Sequence, residues 1–132
     1  MSDYTLRTTV ATSYDDALTR VREALADAGF GVLTEIDLKA TLKAKLDVDV
    51  PPQMILGACR PPLAHAAILA DPSIAALLPC NVVVRSEGDE TVVEAFDPAA
   101  MVAIADNPAL EEIASDARER LQRALEAVSG TD

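Results

Sequence analysis

The chain has 132 residues, is 50% hydrophobic, and carries a formal net charge of −11 with a pI near 4.3. That length suits one domain with a single core, and an acidic surface repels polyanions, which excludes nucleic acid as an expected partner. Aromatic residues make up only 3% of the chain and tryptophan is absent, so recognition by base stacking is excluded too and the core must be aliphatic.

Tyr4, Leu6, Thr8 and Val10 alternate with Thr5, Arg7 and Thr9, a period of two that predicts a first strand. Ser13, with Asp16 three residues on, approximates a capping box. Ala17, Leu18, Val21, Leu25 and Ala28 then give one helix an apolar face that Gly29 ends. A second strand is expected over 30–36, followed by a short helix capped by Asp37, with Leu38, Leu42 and Leu46 at four-residue spacing. The apolar segment 53–59, bounded by Pro51-Pro52 and Pro61-Pro62, reads as a buried third strand, and 63–69 and 74–78 as helical pieces broken by Pro72 and Pro79. Strands at 80–87 and 91–96 flank a tight turn at Gly88-Asp89. After a short segment at 98–105, Asn107-Pro108 opens the longest helix, with Leu110, Ile113, Ala117, Leu121 and Leu125 on one face.

Nothing repeats and no linker divides the chain, so residues 1–132 are expected to form a single α+β domain in the order β-α-β(4)-α. The sheet is expected to be five-stranded and mainly antiparallel, with two long helices on one face. No apolar run approaches the roughly 20 residues of a spanning helix, and the start, MSDYTLRTTV, lacks the basic-then-apolar order of a secretory signal. The expectation is a cytoplasmic protein, without membrane attachment, whose two cysteines are reduced.

GFGVLTEID at 29–37, GACRPP at 57–62, LLPCNVVV at 77–84 and DPAAM at 97–101, in this order, resemble the bacterial and archaeal "domain of unknown function 302" family over nearly the whole chain. The resemblance implies a fold similar to half of the TATA-binding-protein architecture, and a homodimer. It implies no activity, and a shared fold carries no DNA-binding function. Where the family often has asparagine after the first cysteine, this chain has Arg60.

Residues 51–85 concentrate both cysteines, the single histidine and six of the eight prolines. Cys59 precedes a helix opened by Pro61-Pro62, whose N–H groups from Leu63 and Ala64 onward are expected to favour a thiolate, with Arg60 adding positive charge. Cys80 follows the C-terminal end of a helical piece, which disfavours ionisation. If strands three and four are antiparallel neighbours, Cys59 approaches Cys80. His65, one turn into the helix, is then a candidate proton acceptor. Cys59, His65 and Cys80 are therefore the catalytic candidates for a thiol enzyme or redox sensor, set against buried, inert cysteines and a surface histidine. Their Cys-x5-His-x14-Cys spacing matches no standard zinc pattern, so neither metal nor cofactor is expected.

The chain's three lysines, Lys39, Lys43 and Lys45, all fall in the short second helix, where they make a cationic spot for a carboxylate or phosphate. Glu35 and Asp37, flanking Ile36, point to one side and are placed to orient such a ligand or to serve as acid and base; the alternative is a solvated helix with Asp37 as its cap. The favoured reading is a non-enzymatic homodimer holding a small anionic molecule between this segment and the Cys59 corner. Glu35, Asp37, Lys39, Lys43, Cys59 and His65 would line the site. A module that binds another protein through an exposed face is the third reading.

Overall fold

The computed structural model describes residues 4–130. Strands β1 (Thr5–Val10), β2 (Gly31–Asp37), β3 (Gln53–Cys59), β4 (Cys80–Glu87) and β5 (Glu90–Phe96) form one antiparallel sheet in the order β1-β5-β4-β3-β2. Helices α1 (Tyr14–Asp27), α2 (Leu38–Leu46), α3 (Pro61–Ala70), α4 (Ala99–Ala105) and α5 (Glu111–Ser129) connect and cover it, with short 3-10 turns at Pro72–Leu77 and Pro108–Leu110. The α+β class and the order of strands and long helices are those expected from the sequence.

Alternation along the strands builds the core. The register places Leu6 beside Ala95, Ala95 beside Val82 and Val82 beside Leu56, an apolar row running across four strands on one face. Val21 and Leu25 of α1 and Leu121, Leu125 and Val128 of α5 pack on this face, and all are buried. Removing one large side chain from such a layer costs about 2–5 kcal/mol.

A second, smaller core lies at the sheet end where β3 finishes and β4 begins. Ala67 of α3, Ile74, Met101 of α4 and Leu110 are buried there, with Phe96, Leu78 and Ile113 packed against them. The sequence predicts one long helix from Asn107-Pro108; the chain instead makes a 3-10 turn first, Asn107 Oδ1 accepting from Ala109 N–H at 3.0 Å, before α5 begins at Glu111. The tighter turn lets Leu110 enter the small core.

Local signals elsewhere act as expected. Ser13 Oγ accepts from Asp16 N–H at 3.1 Å at the start of α1, and Gly29 ends it at φ +91°, in the left-handed region where a side chain is strained. Gly88, at φ +60°, takes the first of two turn positions between the paired Glu87 and Glu90. Helix α2 is the exception to amphipathic logic, because no residue in it is buried and Leu46 is 66% exposed. Its leucine spacing finds no core to face. Among the described residues no helix is long and apolar enough to cross a membrane.

Candidate functional site

The β2–β3 ladder separates the two halves of the expected site. Asp37 pairs with Met54 at one end and Gly31 with Cys59 at the other, so α2 and the Cys59 corner lie five residues apart along β3, about 17 Å. The expected pocket between them does not form.

At the α2 end the charges are already matched. Glu35 is held by a two-toothed ion pair from Arg22 of α1, at 2.5 and 2.9 Å, and the hydrogen bonds from this guanidinium lower its carboxyl pKa. Asp37 Oδ1 caps α2 by accepting from Ala40 N–H at 3.0 Å. Lys43 Nζ sits 2.9 Å from Asp47 and 3.5 Å from Asp49. Lys39 is exposed. These are solvated surface pairs, which hold a ligand weakly because both partners stay hydrated.

At the other end a hollow opens between the end of β3, the start of β4 and helices α3, α4 and α5. Both cysteines line it, with Arg60, Ala64, Leu78 and Met101, and its wall is almost wholly carbon and sulfur. Its volume is about 30 Å³, above the roughly 10–15 Å³ needed to hold one water. The antiparallel pairing of β3 and β4, with Ala58 opposite Cys80, puts both cysteines at the same end of the sheet, where each lines the hollow. Both are free. Burial, and then the neighbouring Cys59, push the Cys80 thiol up to about 11, so it stays protonated at neutral pH. His65 is exposed and is not part of the lining, so the expected meeting of thiol and imidazole is absent. The reason is helical phase: Leu63, Ala64 and Ala67 of α3 turn to the hollow and His65 turns away.

A second correction concerns the start of α3. Pro61 and Pro62 have no N–H, and the N–H groups of both Leu63 and Ala64 donate to the Arg60 carbonyl at 3.0 Å. No donor is left over to favour a Cys59 thiolate through the helix end. The positive charge at the hollow comes instead from the Arg60 side chain. Arg60 Nη1 reaches only the Gly29 carbonyl, at 3.4 Å, and among the described residues no carboxylate forms an ion pair with it. Arg120 beside it is occupied, donating to Asp116 at 2.7 Å and to the Ala28 carbonyl at 3.0 Å. The two guanidinium groups face the C-terminus of α1, whose last turn has no basic residue of its own.

Gly57 explains how the hollow's backbone comes so close. A Cβ there would collide with Thr34 Oγ1 and stand 2.8 Å from Pro79 Cγ, so only glycine admits both the irregular β2 register between Val32 and Thr34 and the loop into β4. Counting His, Cys, Asp and Glu side chains, the described residues contain no group of three placed to hold a metal. Met101, within the DPAAM motif, lines the hollow although nothing in its local sequence marks it as a site residue. The one available signal was that three separated motifs each carry a sulfur.

A five-stranded antiparallel sheet with its long helices on one face, closed at one end by a second small core, defines an α+β domain with one buried and one half-buried cysteine at that end. The chain belongs to the family described as Domain of unknown function DUF302, whose sequence model matches residues 6–128. It is similar to the crystal structure of an uncharacterized conserved protein DUF302 from Bacillus stearothermophilus, at 30% identity and a TM-score of 0.89, covering 96% of this chain and 98% of that one. No curated protein matches it.

Proposed function

We propose that this chain is a non-catalytic binding domain whose site is the hollow at Cys59 and Cys80, taking a ligand of a few heavy atoms and balancing the site's negative charge with Arg60. The supporting observation is Arg60 itself, half-buried at an apolar hollow and, among the described residues, without a carboxylate partner, in a chain with twice as many acidic as basic residues. A cation so placed gains most from negative charge held in low-dielectric surroundings. The volume argues against a metabolite, since organic ligands occupy pockets of roughly 300–1,000 Å³.

Native mass spectrometry of the reduced full chain, exposed in turn to iodide, cyanide, phosphate and copper(I), tests this reading. Retention of one of these, lost in Ala64→Leu and weakened in Arg60→Ala, supports it. A chain that keeps its bare mass with all four, or binds equally after Ala64→Leu, overturns it.

Self-association is the second element of the proposal. Leu33, Ile36, Leu46 and Val48, each at least 41% exposed, all lie on β2, α2 and the loop that follows. Edge strands are normally blunted against pairing, and here the edge carries uncovered aliphatic side chains. Sedimentation equilibrium should give a dimer that Leu33→Glu with Ile36→Glu converts to monomer. A wild-type monomer at tens of micromolar counts against it.

A further inference from the structure

We propose that the sulfur atoms of Cys59, Cys80 and Met101 form a three-coordinate site for a soft monovalent metal ion, of which copper(I) is the biological example. This rests on the hollow being a ligand site, as argued above, and identifies its occupant.

The donors select the ion. Three sulfur-bearing side chains, both cysteines included, converge on one hollow from three separate segments: the end of β3, the start of β4 and α4. Met101 is 4% exposed, Cys80 is buried and Cys59 half-buried, so the hollow reaches solvent on the Cys59 side. Two thiolates and a thioether are a soft donor set that favours copper(I), whereas zinc prefers four thiolate, imidazole or carboxylate donors. The nearest polar side chain, Arg60, cannot ligate a metal because it is always protonated. A hollow of about 30 Å³ has room for a single ion.

Charge closes the argument. Binding replaces two thiol protons by one metal ion: two S–H groups and Cu⁺ give a bis-thiolate complex of charge −1 and release two protons. No electron is transferred. When the ion arrives as copper(I) bound to a low-molecular-weight thiolate, that thiolate leaves carrying one of the two protons and the other goes to solvent; a carrier that takes no proton, such as bathocuproine disulfonate, leaves both in solution. Arg60 lines the same hollow and, among the described residues, pairs with no carboxylate, so its charge can offset that of the complex. Burial that suppresses ionisation of Cys80 would make a poor nucleophile, but it does not prevent metal binding, because the metal displaces the proton outright. The same pair of thiols in a water-accessible, unhindered position would suit thiol–disulfide exchange better than this one does.

Anaerobic titration of the reduced full chain with copper(I), in competition with bathocuproine disulfonate, gives the stoichiometry and affinity. X-ray absorption at the copper edge gives the number of sulfur ligands. The expected result is one copper per chain with three sulfur neighbours. Met101→Leu, which keeps volume and apolarity, should leave the fold unchanged by circular dichroism, reduce the sulfur count to two and weaken affinity by about tenfold, ~1.4 kcal/mol. Cys59→Ser, at the half-exposed position, should abolish retention. Affinity should rise with pH as two protons are released. No copper retained by the wild type, or three sulfur ligands surviving in Met101→Leu, overturns the assignment. Failure here with iodide or cyanide still held in the hollow removes the metal and leaves the binding reading standing; failure of all probes removes both.

Discussion

The two ends of the β2–β3 ladder carry the chain's two concentrations of chemistry and treat them in opposite ways. At the α2 end, charges are abundant, exposed and paired with one another: Arg22 with Glu35, and Lys43 with Asp47 and Asp49. At the Cys59 end the surroundings are apolar, and Arg60, the charged residue of the hollow's lining, bonds the Gly29 carbonyl and, among the described residues, no carboxylate. The difference teaches where interaction energy is concentrated. A charge in water is nearly neutral in its effect, while the same charge beside a desolvated hollow is a strong constraint on what can bind.

Four substitutions or conditions sharpen that contrast, beginning with the largest effect. Met101→Ala should destabilise the chain by about 2–5 kcal/mol in urea unfolding, since it empties the small core; a loss below 1 kcal/mol would mean that this end is not packed as described. The next effect is alkaline. The Cys80 thiol is raised in the folded state from 9.0 to about 11, so its contribution is complete below pH 9 and is lost as pH rises through about 11. Melting temperature should fall across that window by the equivalent of roughly 2–3 kcal/mol, and Cys80→Ala should flatten the profile. Iodoacetamide at pH 8 should correspondingly label Cys59 well before Cys80.

The remaining two probe the α2 end. Asp37→Ala should cost about 1 kcal/mol, the usual worth of a helix N-cap, measured as a shift in the urea midpoint. Lys43→Ala should change stability by less than ~0.5 kcal/mol, as for other exposed positions. A Lys43 effect as large as that of Met101 would erase the distinction between the two ends.

Much of the fold was legible because its signals are local. The alternation of Leu6, Thr8 and Val10, the Ser13 cap, the Gly88 turn and the apolar face through Leu121 and Leu125 each depend on residues within one or two turns of each other. The candidate site was legible only in part. The antiparallel pairing of β3 with β4 puts Cys59 and Cys80 at one end of the sheet, as their places at a strand end and a strand start suggest, whereas a spacing of six residues does not say which face of α3 His65 occupies.

By itself, then, the sequence determined the elements, their order, the family and the acidic, aliphatic character of the molecule, since periodicity, caps and composition act over short distances. Only the tertiary structure decided the sheet order, the parting of Lys43 from Cys59 to opposite ends of a ladder, the consumption of the α3 N–H groups by Arg60's carbonyl, and the meeting of Met101 with two thiols. Each of these depends on which distant segments share space, and that is settled by packing the whole chain at once rather than by any stretch of it.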